Sequence, residues 1–318
     1  SVDSDSWDYS ILNSDVQFLA QGETITLSFD VTVTDNDGGS DTKTVSLTIT
    51  GTNDLPVLTV DASGAVTEDD SNPSLSDSGA LSFTDVDTTN THNVTEVYND
   101  DIRWDGGDLT SVLSAGQIQS LIDGFSVDSD TWDYSILNSD VQFLAQGETI
   151  TLSFEVTVTD NDGGSDTKTV SLTITGTNDL PVLTVDASGA VTEDDSNPSL
   201  SDSGALSFTD VDTTNTHNVS DVYNGDIAWS GGDLTTVLSP AQLASLVDGF
   251  SVDSDSWDYS ILNSDVQFLA QGETITLSFD VTVTDNDGGS DTKTVNLTIT
   301  GTNDLPVLTV DASGAVTE

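Results

Sequence analysis

The chain has 318 residues and carries 56 Asp and Glu against 4 Lys and Arg, a formal net charge of −52. Four dispersed cations cannot neutralise the phosphates of a nucleic acid or the face of an anionic membrane, so both are excluded as partners. The sequence has no Cys and no Met, so disulfides, thiolate metal sites and a Cys nucleophile are excluded; with no apolar run long enough to cross a membrane and no signal peptide, the stretch is expected to be internal to a longer chain.

Internal repetition sets the domain plan. The segment SVDSDSWDYSILNSDVQFLAQGETITLSF begins at Ser1, returns at Ser126 with Thr131 in place of Ser6, and returns unchanged at Ser251, a period of 125 residues. The hexapeptide GTNDLP recurs in step at Gly51, Gly176 and Gly301. A period this long fits one independently folding domain and is too long for a turn of a solenoid. The expected parts are 1–54, the carboxyl-terminal half of a repeat; 55–179 and 180–304, two complete repeats; and 305–318, the start of another. The complete repeats differ at 14 of 125 positions, most of them between Thr95 and Gln119, a region that therefore tolerates change.

Within a repeat, short β segments are expected at Pro56–Asp61, Ala65–Glu68, Ala80–Thr84 and Asn93–Tyr98. The pattern then breaks at Ser114–Ile122, where Ser114 is a natural N-cap and Ile118, Leu121 and Ile122 share one helical face. Strands resume at Trp132–Ile136, Thr149–Thr159 and Thr167–Thr175, the last two strictly alternating and rich in β-branched residues. Between them, Asp160-Asn161-Asp162-Gly163-Gly164 reads as a hairpin turn. About seven short strands with one short helix predict an all-β fold, a tandem array of immunoglobulin-like or cadherin-like β-sandwich domains arranged as beads on a string.

The acids bunch at chain reversals instead of spreading over a solvated face. Alternating Asp and small polar residues in loops supply the carboxylate, amide and carbonyl oxygens that Ca²⁺ takes in sets of six to eight. The lack of Cys and the presence of only two His disfavour zinc and copper. Strand order gives the acids a location. If the Pro56 strand runs away from the preceding linker, Glu68 and Asp69 lie at the carboxyl end of a repeat, and Asp85, Asp87, Asp160 and Asp162 at its amino end. The predicted Ca²⁺ ligands around Asp179 are therefore Glu68, Asp69, Asn178, Asp179, Asp210, Asp212, Asp285 and Asp287. Around Asp54 they are Asn53, Asp54, Asp85, Asp87, Asp160 and Asp162, and around Asp304 they are Glu193, Asp194, Asn303 and Asp304, with Asp35 and Asp37 at the matching turn of the first half repeat.

The ordered set GTNDLP, VTEDDSNPSLSDSGALSFTDVD, GFSVDSDTWDYSI, FLAQGETITLSFEVTVTDNDGG and VSLTITGTND resembles the VCBS repeats of giant bacterial RTX adhesins, over essentially the whole chain. The resemblance implies a type I secreted protein at the bacterial cell surface whose tandem sandwiches form a Ca²⁺-rigidified stalk serving adhesion or biofilm formation. GTNDLP and Asp85-Val86-Asp87 also resemble the linker and DxD motifs of cadherins, except that Gly51 and Gly176 stand where cadherins carry the first linker Asp. The expected partners are neighbouring repeats of the same chain, with homotypic or filament assembly as a further option and no membrane insertion in this segment.

No nucleotide-binding, nucleophile-elbow or zinc-protease motif occurs, and the same carboxylates recur at turns in each repeat, so an enzyme is not expected. The alternative to an extender is an interaction module that binds carbohydrate, for which Trp104 and Trp132 offer stacking surfaces, or that self-associates into a filament.

Overall fold

A computed structural model describes residues 1–69, 71–310 and 313–315. The chain divides into two compact units, Ser1–Thr177 and Asn178–Glu318. The expected start of a further repeat, 305–318, lies partly outside the described residues.

The first unit opens with a hairpin of β1 (Thr24–Thr34) and β2 (Ser40–Thr50). It continues with β3 (Val57–Val60), β4 (Ser63–Thr67), β5 (Ser74–Thr84), β6 (His92–Tyr98), β7 (Arg103–Trp104), α1 (Ala115–Asp123), β8 (Phe125–Val127), β9 (Thr131–Leu137), β10 (Thr149–Asp160) and β11 (Ser165–Thr175). From β3 onward these strands make two sheets, β3-β5-β9-β8 and β4-β11-β10-β6, with β7 also on β10. Their facing sides share one core, in which Trp132, Tyr134, Leu58 and Leu81 of one sheet meet Val66, Leu152, Phe154 and Leu172 of the other.

Alternation explains why these segments are strands. Along β10 every second residue, Ile150, Leu152, Phe154, Val156 and Val158, is buried, as a period-two pleat requires. The register places Ile150 opposite Ile174 and Leu152 opposite Leu172, so the two strands line the same face. Ser114 caps α1, its Oγ accepting from the Gln117 amide at 3.3 Å while Gln117 Oε1 accepts from the Ser114 amide at 3.1 Å.

Strand β5 is longer than the pattern Ala80–Thr84 indicates, because its leading half, S-L-S-D-S-G, carries little apolar alternation. Gly79 in that half is needed: a Cβ there would stand 2.3 Å from the Trp132 indole, so only glycine lets the ring lie against the strand. The two-residue β7 and three-residue β8 are too short to leave a periodic signal.

The pairing fixes which loops share an end. β4 runs parallel to β11 with Thr67 beside Thr175, so Glu68 sits where the repeat exits. β5 runs antiparallel to β3 with Thr84 beside Val57, and β6 pairs with β10 so that His92 stands beside Asp160. The loop after β5 and the turn after β10 therefore meet the incoming linker.

The second unit repeats this plan with β12 (Val182–Val185), β13 (Ser188–Thr192), β14 (Ser199–Thr209), β15 (His217–Tyr223), β16 (Ala228–Trp229), α2 (Pro240–Asp248), β17 (Phe250–Val252), β18 (Ser256–Leu262), β19 (Thr274–Asp285) and β20 (Ser290–Thr300). Its sheets are β12-β14-β18-β17 and β13-β20-β19-β15, with β16 on β19. In residues 1–54 the β1-β2 hairpin forms a sheet of its own. There Trp7 and Phe29 are each 48 % exposed, whereas their counterparts Trp132 and Phe154 are buried.

Candidate metal centre

The amino end of the sandwich in the first unit gathers side chains from three elements. The linker contributes Asn53 and Asp54, the loop after β5 contributes Asp85, Asp87 and Asn90, and the turn after β10 contributes Asp160. Asp160 Oδ1 accepts from the amides of Asp162 at 2.8 Å and Gly164 at 2.9 Å, which closes the turn. Its Oδ2 accepts from Asn53 Nδ2 at 3.0 Å. Gly164 is required for that approach, since a Cβ would lie 2.4 Å from Asp160 Oδ2 and 2.5 Å from Asn53 Nδ2.

Asp87 is 1 % exposed and accepts the Asp54 amide on Oδ2 at 2.8 Å. Its Oδ1 is buried without a hydrogen-bond partner, and so is Oδ1 of Asn90. Asp85 accepts from the Asp87 amide at 2.9 Å and, on Oδ2, contacts His92 Nε2 at 2.8 Å. His92 packs against Phe83 with ring centroids 4.8 Å apart and the rings tilted by 41°, so it is a packed, satisfied residue.

Electrostatics set this cluster apart from an ordinary turn. Among the described residues the Lys ion pairs are Lys43–Asp41, Lys168–Asp166 and Lys293–Asp291, so no Lys or Arg pairs with the cluster. Burial pushes the Asp87 carboxyl up, and the nearby charges of Asp54, Asp85 and Asp160 push the same way, against the bond from the Asp54 amide. Asp160 is also raised by burial, but the bonds from Asn53 and from the turn amides of Gly164, Asp162 and Gly163 outweigh it and hold the group below the usual carboxylate range. Acceptor oxygens buried together with no donor for two of them form an arrangement that a cation satisfies and a neutral core does not.

The second unit has the same centre. Asn178 Nδ2 donates to Asp285 Oδ2 at 3.1 Å, the Asp179 amide to Asp212 Oδ2 at 2.9 Å, and Asp285 accepts from the amides of Asp287 and Gly289. Asp210 takes His217 Nε2 at 2.7 Å. Among the described residues the carboxylates of Asp162 and Asp287 form no hydrogen bond with the rest of either cluster; Asp287 accepts from its neighbour Asn286. Asp35 closes the β1-β2 turn through the amides of Asp37 and Gly39, and apart from this bond within the turn neither Asp35 nor Asp37 is hydrogen-bonded to another predicted ligand among the described residues.

The exit ends are built differently. Glu68 is fully buried and receives Gln142 Nε2 and the Thr177 amide, the latter at 2.9 Å. Asp69 turns away from it, its carboxylate capping the amides of Ser71 and Asn72 at 2.7 Å each. In the second unit Glu193 is likewise fully buried and receives the Thr302 amide at 2.8 Å, while Asp194 caps Ser196 and Asn197. Carboxylate oxygens of Glu193, Asp195 and Asp304 all lie within 4.8 Å of one another. A hydrogen bond shared with Asp195, some loss of solvation and the charges of Glu193 and Asp195 raise the Asp304 carboxyl. Asn303 donates to its neighbour's carbonyl, Asp304 O, at 3.1 Å. Here the third acid of the group is Asp195 and not the expected Asp194; the two are consecutive acids, and only the turn geometry separates the capping one from the other.

Trp132 and Trp257 are buried in the cores, with indole N–H groups on the carbonyls of Asp61 and Asp186, both at 2.9 Å. Trp104 is 8 % exposed and donates to Glu148 Oε2. None of the three offers a face for stacking a sugar.

No protein-family model and no curated protein matches the sequence. Among solved structures, the chain is similar to PcdhgB3 EC1-4 at 12 % identity with a TM-score of 0.39, covering 89 % of this chain and 73 % of that one. It is similar to protocadherin gamma B2 extracellular cadherin domains 3-6 at 15 % identity with a TM-score of 0.37, covering 87 % and 57 %. Mouse protocadherin-24 EC1-3 follows at 13 % identity and a TM-score of 0.31, covering 86 % and 79 %.

Proposed function

We propose that 55–179 and 180–304 are successive extender repeats of a secreted, surface-attached bacterial protein, and that Ca²⁺ bound at the amino end of each repeat fixes its linker. The observation that carries this reading is the buried, donorless Asp87 Oδ1, set among Asp54, Asp85 and Asp160 with no Lys or Arg beside it. All candidate ligands are oxygens, which suits a hard cation with flexible coordination. Asp54, Asp85, Asp87 and Asp160 would hold the ion in the first unit, and Asp179, Asp210, Asp212 and Asp285 in the second. Glu193, Asp195 and Asp304 offer a carboxylate group of the same kind at the exit of the second repeat. When bound, the ion supplies positive charge that removes the mutual repulsion of these carboxylates.

The chain's own groups prepare the place. Asn53 and the Asp54 amide already attach the linker to the repeat that follows it, so the ion strengthens a contact that exists without it. Repetition of the same unit makes length the product, with each repeat adding about 40–50 Å if strands of some 12 residues run along the array.

Small-angle scattering from the full chain in millimolar Ca²⁺ and then in chelator tests the extender reading. A longer maximum dimension with Ca²⁺, lost in Asp210→Ala/Asp212→Ala, is the expected result. Equal dimensions in both conditions would contradict it and favour an interaction module.

A further inference from the structure

Asn90 and Asn215 belong to no acidic motif, yet the fold treats them alike. In each repeat the loop after β5 or β14 turns back on itself, the Asn90 amide donating to Asp87 O and the Asn215 amide to Asp212 O, both at 3.1 Å. Asn90 Nδ2 donates to Asn53 Oδ1 at 3.2 Å, and Asn53 Nδ2 passes the relay to Asp160 Oδ2 at 3.0 Å. In the second repeat Asn215 Nδ2 donates to Asn178 Oδ1 at 3.3 Å and Asn178 Nδ2 to Asp285 Oδ2 at 3.1 Å. The Asn215 amide also lies against a carboxylate of the cluster, 3.2 Å from Asp212 Oδ2. What remains is Oδ1 of each asparagine, buried and without a hydrogen-bond partner in both repeats.

A side-chain amide that donates at one end while its oxygen lies buried with no donor to meet it is half satisfied, and an acceptor withdrawn from water without a partner is costly. The oxygen is a neutral ligand of the kind Ca²⁺ accepts alongside carboxylates. We infer that Asn90 and Asn215 are ligands of the amino-end cation through Oδ1, and that their Nδ2 groups couple the ion to the linker through Asn53 and Asn178. The inference rests on the Ca²⁺ reading above. Withdrawal of electron density by a cation at Oδ1 makes Nδ2 a stronger donor, and hydrogen bonds in series reinforce one another. The ion thus tightens the linker through an uncharged path, adding an oxygen without adding to the repulsion in a cluster that already holds four carboxylates.

The test uses the full chain as wild type, as Asn90→Ala/Asn215→Ala and as Asn90→Asp/Asn215→Asp, with calorimetric Ca²⁺ titration and hydrogen exchange at the Asp54 and Asp179 amides. A folded thermal transition in chelator establishes that each variant is intact. The alanine pair is expected to bind Ca²⁺ at least about tenfold more weakly. The aspartate pair keeps an oxygen at each position and is expected to bind at least as tightly as wild type, but it cannot donate to Asn53 or Asn178, so the linker amides in Ca²⁺ should exchange about tenfold faster than in wild type. Wild-type affinity in the alanine pair would overturn the ligand role and leave the Ca²⁺ reading standing. Wild-type exchange in the aspartate pair would overturn the relay. Failure of the wild type itself to bind Ca²⁺ would overturn both the inference and the reading beneath it.

Discussion

At the residue scale, Gly164 and Gly289 show how closely the linker is held. A methyl group at either place would sit within 2.5 Å of the Asp–Asn contact it adjoins. Gly164→Ala is therefore expected to push Asn53 off Asp160 and to lower stability by about 1–3 kcal/mol, read as a shift in the denaturant midpoint. An unchanged midpoint would mean the turn gives way at little cost. Asp166 works by a different route. The Lys168 ammonium and the Leu58 amide, which donates to it at 2.9 Å, hold this carboxyl below its usual range. A carboxylate with a depressed folded pKa adds stability that is present above the unfolded value of 3.8 and is lost as pH falls through the lower folded one. Asp166→Asn should therefore lower stability at neutral pH, where that contribution is fully present, and flatten the acid limb below pH 3.8, where the wild type loses it; an identical acid limb would show that the bond to Lys168 is too solvated to matter.

At the element scale, the alternating strands β10 and β11 and the capped helix were legible in the residues, because each carries a local rule that the fold obeys. Ser114 with Gln117 three residues on is such a rule, and both reciprocal bonds form. Ser114→Ala is expected to cost about 1 kcal/mol in thermal or chemical unfolding. What could not be read locally is equally specific. The leading half of β5 has almost no apolar pattern and is a strand because β9 pairs with it and Trp132 lies on Gly79. Of the candidate ligands, Asp85, Asp87, Asp160 and the linker pair follow from strand order alone. Asn90 does not, because a neutral residue in a Thr-rich loop gives no signal until its oxygen is seen buried without a partner. The distinction between Asp194 and Asp195 is likewise one of turn geometry, invisible in two consecutive acids.

At the scale of the whole molecule, a charge of −52 works against compaction, and three lysines and one arginine do little to offset it. The described lysines pair with acids two residues away on their own strands, leaving the clusters at the amino ends unneutralised. On the proposed reading, cation binding is linked to folding: a ligand at 100 times its Kd stabilises the folded form by about 2.7 kcal/mol per site. The same linkage makes the chain salt-sensitive when Ca²⁺ is removed, and the thermal midpoint in chelator should rise with added monovalent salt as screening shortens the reach of the repulsion.

The most direct measurement follows the thermal midpoint of the wild-type chain and of Asp87→Asn/Asp212→Asn by calorimetry, in chelator and in millimolar Ca²⁺. The substitution keeps an acceptor for the linker amide and removes one buried charge from each cluster. It should therefore raise the midpoint in chelator while abolishing most of the gain that Ca²⁺ gives the wild type. A wild-type midpoint indifferent to Ca²⁺, or a variant that gains as much from it as the wild type does, would contradict the assignment of these amino-end clusters as cation sites.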